Sequence, residues 1–94
     1  MRVVVLVPGA LRSAVDGTAR LELEVADSAT LGATLDALAA RYPKLDHRLR
    51  DERSALRRYV NFYVDGEECR RLAGTETVLH DGCELQVLPS VAGG

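Results

Sequence analysis

One segment with helical periodicity, set between two groups of strand-like segments, most constrains the fold of this chain. Asp27, Ser28 and Thr30 precede this segment as N-cap candidates, because their side-chain oxygens can accept from the free N–H groups of a first helical turn. Pro43 ends it, since the residue before a proline disfavours the α conformation. Its apolar residues recur three or four positions apart and form one stripe: Leu31, Leu35, Leu38, Ala39 and Tyr42. We expect this stripe to pack against a sheet.

Two strand-like segments precede the helix. Residues 3–7 are a continuous aliphatic run, typical of a strand that is covered on both faces or central in a sheet, and Pro8-Gly9 ends it. Residues 20–25 alternate between apolar and charged or polar side chains, so their apolar residues share one face. We predict that the two strands form a hairpin across a loop at residues 8–19.

Three further strand-like segments follow the helix. Residues 58–64 have the highest β-propensity in the chain, and Asp65-Gly66 is a typical two-residue hairpin turn because glycine tolerates a positive φ. A short strand is expected around residues 68–70, and residues 84–88 form the last strand before Pro89. Alternation assigns the following residues to the inward face: Val60, Phe62, Val64, Leu85 and Val87.

The order of elements is therefore ββ-α-βββ, which predicts an α+β roll in which a mixed sheet of about five strands wraps one main helix. Ninety-four residues are enough for one domain, which we assign to residues 1–89, with residues 90–94 as a flexible tail. Residues 44–58 are polar and basic without sustained periodicity. We expect a long connection there, with room for a short helical turn, that is either solvated or functional.

Charge and hydropathy argue against nucleic acid or membrane as partners. Twelve basic residues against fourteen acidic ones give a net charge of -2. No apolar run approaches the ~20 residues of a transmembrane helix, and the N-terminal run is too short for a signal peptide. We expect a cytoplasmic protein. Cys69 and Cys83 are too few for a disulfide scaffold and are expected to pack as reduced thiols.

No residue pattern indicates an autonomous enzyme. His47 and His80 are far apart in sequence, neither has an i, i+4 partner, and no Cys-x-x-Cys or His-Glu-x-x-His motif supports a zinc site. Glycine-rich phosphate loops and a nucleophile elbow are also absent from the sequence. We therefore predict that the chain has no metal site, binds no cofactor itself and serves partner enzymes.

The segment that says most about function is the end of the sequence. Residues 89–94 follow the last strand, finish in Gly93-Gly94 and could span about 20 Å when extended. A tip without side chains can enter a narrow channel and bring its carboxylate to a partner's active site. A tail used for packing would end in an apolar anchor. Small flexible residues are also common at termini for no functional reason, so the pattern favours a reactive C-terminus only because the tail directly follows the last strand of a ββ-α-βββ domain.

Taken together, these features resemble the ubiquitin-like sulfur carrier proteins of bacteria, the ThiS/MoaD-like family, and in particular its CysO-type carriers of cysteine biosynthesis. The resemblance covers essentially the whole chain and is sharpest in residues 58–67, 80–85 and 88–94. Cys83 departs from it, because the family commonly has an acidic residue there, and Ser90 stands where proline or alanine is frequent. The resemblance implies a ubiquitin-like β-grasp fold.

The resemblance also implies a chemistry for Gly94, assisted by Gly93. An ATP-dependent adenylyltransferase/sulfurtransferase of the MoeB/ThiF type would adenylylate the Gly94 carboxylate and convert it to a thiocarboxylate. In CysO-type pathways the sulfur acceptor is a cysteine synthase-like enzyme with pyridoxal phosphate, and a JAMM-type metalloprotease trims the product. ATP and pyridoxal phosphate would then belong to partners, which would contact Val91 and Ala92 of the tail.

An exposed apolar patch on the sheet face away from the helix would bind these partners. Alternation nominates Tyr63 with Leu88, and also Tyr59, although packing under loops at the sheet edge explains them equally well. Arginines 53, 57 and 58 could meet an acidic partner, but a solvated face explains this cluster better.

Three alternatives to a carrier for cysteine or another sulfur-containing metabolite stay open. The first is the small subunit of molybdopterin synthase, which uses the same thiocarboxylate chemistry. The second is a noncovalent ubiquitin-fold interaction module, for which the tail is incidental. The third is a modifier that forms isopeptide bonds with lysines.

Overall fold

The computed structural model describes residues 1–89, which form a mixed sheet with two helices packed on one side. In chain order the elements are β1 (Arg2–Leu6), a 3-10 helix (Gly9–Val15), β2 (Arg20–Glu24), α1 (Leu31–Arg41), α2 (Pro43–Leu49), β3 (Val60–Val64), β4 (Glu67–Glu68), two 3-10 turns (Cys69–Arg71 and Gly74–Glu76) and β5 (Glu84–Pro89). The predicted tail, residues 90–94, lies outside the described residues.

The five strands are arranged in the order β2-β1-β5-β3-β4. The central pair, β1 and β5, is parallel, while β1–β2, β3–β5 and β3–β4 are antiparallel. Parallel neighbours need a long connection, which here contains β2, both helices and the β3–β4 hairpin. This topology confirms the predicted α+β roll of β-grasp type, and it places the last strand in the middle of the sheet.

The core lies between the sheet and α1, as the periodicities predict. Leu31, Leu35 and Leu38 are at most 2% exposed, and each contributes about 1.5–3 kcal/mol by leaving water. Ala39 and Tyr42, the other two stripe residues, are only partly buried. All five residues assigned to the inward face of β3 and β5 belong to the same core cluster.

Local signals set the ends of α1 and the β3–β4 hairpin correctly. The Thr30 hydroxyl accepts from the Ala33 N–H at 3.1 Å, so Thr30 is the N-cap. Asp65 and Gly66 have φ values of 49° and 87°, which are the positive angles of the predicted turn. The strand after this turn is shorter than predicted, because the chain enters a 3-10 turn at Cys69 and buries that side chain.

Two segments predicted to be connections contain more helical structure than the expected short turn. Pro43 ends α1 but also starts α2, a seven-residue helix that buries Leu45 and Leu49. The loop at residues 8–19 includes the 3-10 helix, which buries Leu11 and Val15. In both segments two apolar residues four positions apart supply the buried contacts, too few to stand out as a periodic stripe.

Arg50, at the C-terminal end of α2, is an unexpected buried charge. Its side chain is 6% exposed and its guanidinium donates to Asp46 at 2.7 Å and to Asp36 of α1 at 2.8 Å. These ion-paired hydrogen bonds raise the pKa of Arg50 despite the opposing effect of burial. The contact with Asp36 ties the end of α2 to α1.

Among the described residues, no helix is both long and apolar enough to cross a membrane.

Candidate functional site

The predicted reactive residues Gly93 and Gly94, and the predicted partner contacts Val91 and Ala92, lie outside the part of the chain that the structure describes. What the structure does describe is the strand from which this tail starts. Pro89, the last residue of β5, is opposite Val60 of β3 in the ladder. The site is therefore built outward from the end of β5.

Strand β5 is fixed on both sides and on its inner face. It pairs with β1 and β3, and Leu85 and Val87 are at most 1% exposed. Displacing it would break two ladders and expose the centre of the core. The tail therefore begins at a rigid point, which limits the region that its tip can reach to about 20 Å from Pro89.

Leu88, an outward residue of β5, lies beside Tyr63, as alternation predicts, whereas Tyr59 lies in the turn that precedes β3. Leu88 is opposite Asn61 in the ladder, so Tyr63 is its diagonal neighbour on the same face. Leu88 is 39% exposed, Tyr59 is 51% exposed and Tyr63 is partly buried. We call Tyr59, Tyr63 and Leu88 the outer-face patch. Its exposure at the root of the tail is what a partner-binding surface requires, and partner binding itself stays a prediction.

Next to the outer-face patch is a shallow groove of about 300 Å³, which we call the β1–β5 groove. Leu6, Gln86 and Leu88 contribute to its lining, and register places Leu6 between Gln86 on one side and Arg20 on the other. Arg12 also lines the groove, and its Nε donates to the Val7 carbonyl oxygen at 3.1 Å. An apolar groove bordered by two exposed arginines suits a partner with apolar and acidic side chains.

The arginine cluster at residues 53–58 has a partly structural role. The Nε of Arg57 donates to the His47 carbonyl oxygen at 2.9 Å and so joins this connection to α2. The Asp51 carboxylate accepts from the N–H groups of Ala55 and Arg53, and these hydrogen bonds lower the pKa of Asp51. Arg58 is exposed. These hydrogen bonds hold the segment within the domain, which is compatible with the interpretation of the arginine cluster as a solvated face.

Both cysteines are free and buried, in agreement with a packing role. Burial raises the pKa of the Cys69 thiol, and it raises that of Cys83 to about 11. Neither thiol is therefore ionised near neutral pH, so neither is an activated nucleophile in this state.

One cluster was not predicted from the sequence. Asp65, His80 and Cys83 each place a potential metal-ligand atom within 4.8 Å of the others. The available signal was the His80-x-x-Cys83 spacing directly before β5, next to the Asp65 turn. This cluster was missed from the sequence because a partner of His80 was sought at i, i+4, whereas the partner in the structure is Asp65, which follows β3.

Comparisons with known proteins agree with this architecture. The model of the ThiS family matches residues 5–94. The chain is 38% identical to the sulfur carrier protein CysO of Mycobacterium tuberculosis, over all of both chains. It is also 38% identical to the molybdopterin synthase sulfur carrier subunit of the same organism, over 100% of this chain and 99% of that one.

A solved structure shows the same fold. The crystal structure of the BexX/CysO complex of Amycolatopsis orientalis contains a chain with a TM-score of 0.86 and 35% identity, covering 98% of this chain and 99% of that one. The similarity therefore covers almost the whole chain rather than one motif. By sequence and by fold, the chain belongs to the ThiS family of ubiquitin-like sulfur carriers.

Proposed function

We propose that this chain is a sulfur carrier protein, a co-substrate whose Gly94 carboxylate is converted to a thiocarboxylate by partner enzymes. The observation that carries this proposal is the family match, which runs through residue 94 and so includes Gly93-Gly94. The 38% identity to two sulfur carriers, over the full length of this chain, supports the same conclusion. The work of the domain is to hold and present a tail; the reactive group is the carboxylate.

The chemistry explains why activation comes first. A carboxylate is a poor electrophile, so a Gly94 oxygen attacks the α-phosphorus of ATP and pyrophosphate leaves. A sulfur nucleophile then attacks the carbonyl carbon of the resulting acyl adenylate, and AMP leaves. With hydrosulfide the product is the thiocarboxylate directly. With a persulfide, a thiol must then cleave the acyl disulfide to release it.

The outer-face patch and the β1–β5 groove are the proposed docking surface for the activating enzyme. Leu88 and Tyr59 offer exposed apolar area at the root of the tail, and Arg12 and Arg20 add positive charge beside it. We propose an adenylyltransferase of the MoeB/ThiF type as this partner. When the enzyme docks beside β5, the distance from this docking surface to the enzyme's active site must match the length of the tail.

We propose that the sulfur acceptor is a cysteine synthase-like enzyme, with a JAMM-type metalloprotease as a further partner. In the cytoplasm, the adenylyltransferase would bind ATP and the cysteine synthase-like enzyme would bind pyridoxal phosphate. A second candidate is the small subunit of molybdopterin synthase, favoured by the 38% identity to such a subunit. A stable complex with a molybdopterin synthase large subunit, without sulfur transfer to an activated serine, would favour that candidate.

The test of the carrier function is ATP-dependent release of pyrophosphate by the cognate activating enzyme. We expect release with the full chain and none with a variant that lacks Gly94. A Ser90→Ala variant is the matched control in the same tail, because it keeps the terminal Gly-Gly, and it should behave like the full chain. Equal pyrophosphate release with and without Gly94 would refute the proposal.

A further inference from the structure

Three side chains that the carrier chemistry does not use meet at the start of β5. Val64 is opposite Leu85 in the β3–β5 ladder, so Asp65 follows β3 at the point where β5 begins. The turn before β5 carries His80 and Cys83. The fold thereby gathers a carboxylate, an imidazole and a thiol whose ligand atoms lie within 4.8 Å of one another.

Hydrogen bonds already orient two of these groups. The Asp65 Oδ1 accepts from the Glu84 N–H at 2.9 Å, which leaves Oδ2 facing His80 Nε2 at 2.6 Å. His80 Nδ1 lies 3.1 Å from the Asp81 carbonyl oxygen. Because carbonyl and carboxylate oxygens only accept, both ring nitrogens donate in these contacts, and the His80 ring is the charged imidazolium. Once Nε2 has lost its proton it is the nitrogen that a metal can use, and the Nδ1–H contact with a backbone oxygen sets its orientation, as in many metal-binding histidines.

From this arrangement we infer that Asp65, His80 and Cys83 bind one Zn²⁺ ion through Oδ2, Nε2 and Sγ. Thiolate, imidazole and carboxylate are the usual zinc ligands. A thiolate and a carboxylate together neutralise the ion's two charges. The thiolate also makes the site a poor one for Mg²⁺ and Ca²⁺, which prefer oxygen ligands.

The burial of the three groups gives the site one closed and one open side. Cys83 is fully buried, whereas the side chains of His80 and Asp65 are 69% and 43% exposed. The sulfur atom therefore lies on the buried side of the site, and the exposed side chains of His80 and Asp65 can rotate to adjust their distances to the metal ion. The three ligand atoms already lie within 4.8 Å of one another. Modest movements of the side chains can therefore bring each of them to the bond length of about 2.0–2.3 Å from a central zinc ion. The fourth position faces solvent and takes water.

Binding involves ligand exchange without oxidation. Three coordinate bonds form, from sulfur, nitrogen and oxygen to zinc, and the hydrogen bonds of the Asp65 carboxylate with His80 and Cys83 break. The Cys83 thiol and His80 Nε2 each release one proton to solvent. The bound ion would join the β3–β4 turn to the turn before β5.

The site lies at the opposite end of β5 from the tail. The six residues of β5 span roughly 20 Å at about 3.3 Å each. Zinc binding and the reactivity of Gly94 therefore use separate atoms, and either one can fail without the other.

The test is titration of the full, reduced chain with Co²⁺, a spectroscopic substitute for Zn²⁺. We expect one equivalent to bind, with a thiolate-to-cobalt charge-transfer band and visible bands of tetrahedral intensity, and Zn²⁺ to displace it. Mg²⁺ should not displace it. The Cys83→Ser variant should lose the charge-transfer band.

The chain contains two cysteines and two histidines, so it supplies its own matched controls. His80→Asn changes an exposed side chain and should weaken binding at least tenfold, whereas His47→Asn should bind like the wild type. Cys69→Ser is the control for the buried Cys83→Ser, with circular dichroism to verify that both fold. Absence of one-to-one binding, or equal affinity in His80→Asn and wild type, would overturn the assignment.

Discussion

Replacing Leu88 with alanine should weaken docking of the activating enzyme without affecting the reactive tail. Leu88 is 39% exposed, so a partner can bury only that fraction of its side chain. Complete burial of a leucine contributes about 1.5–3 kcal/mol, so the exposed fraction corresponds to about 0.6–1.2 kcal/mol. This predicts an increase of about three- to eightfold in the Kd of the complex.

Leu72 provides the matched control, because it is the same residue type with 40% exposure and lies outside the outer-face patch. Calorimetric titration of the activating enzyme should give the wild-type Kd with Leu72→Ala and a raised Kd with Leu88→Ala. Both variants should be measured well below their melting temperatures, since each leucine is also partly buried. An unchanged Kd for Leu88→Ala, or equal increases in the two variants, would refute the proposed docking surface.

Three further predictions concern the domain itself. The buried Thr34 hydroxyl has no hydrogen-bond partner among residues 1–89, so Thr34→Val should stabilise the fold by about 1 kcal/mol in urea denaturation; a loss of stability would contradict this. Arg50→Ala should destabilise it by about 1–3 kcal/mol, because its buried stem and its hydrogen bonds to two carboxylates are lost, while Asp36 can be rehydrated. The lowered pKa of Asp51 means that its carboxylate stabilises the fold above its unfolded-state pKa and that this contribution disappears as the pH falls through the folded-state pKa. Asp51→Asn should therefore show a smaller loss of melting temperature between neutral and acidic pH than the wild type, and an identical acid dependence would argue against it.

Local patterns predicted those parts of the fold that depend on neighbouring residues. Thr30 caps α1 because a hydroxyl three residues before a free N–H can accept from it, whatever the rest of the chain does. The alternation in β3 and β5 correctly assigned Phe62 and Leu85 to the core, because a strand has a fixed period of two. These signals were sufficient for the fold class.

Features that depend on contacts between distant segments were not predictable in this way. Helix α2 has only two buried leucines, and its end is held by Arg50 through a carboxylate fourteen positions earlier in α1. The β1–β5 groove needs the parallel register that places Leu6 beside Gln86. The cluster at His80 depends on the end of β3 meeting the start of β5. Each requires tertiary pairing, which one sequence does not reveal.

The carrier function was inferred from the resemblance and the Gly-Gly ending, and the family match through residue 94 supports it. The described domain adds the rigid root and the exposed surface beside it. The most direct test is intact mass spectrometry of the full chain after incubation with its activating enzyme, ATP and a sulfur donor. We predict an ATP-dependent mass increase that corresponds to replacement of one oxygen by sulfur, absent from a variant without Gly94. An unchanged mass with the cognate enzymes, or the same increase without Gly94, would contradict the central claim.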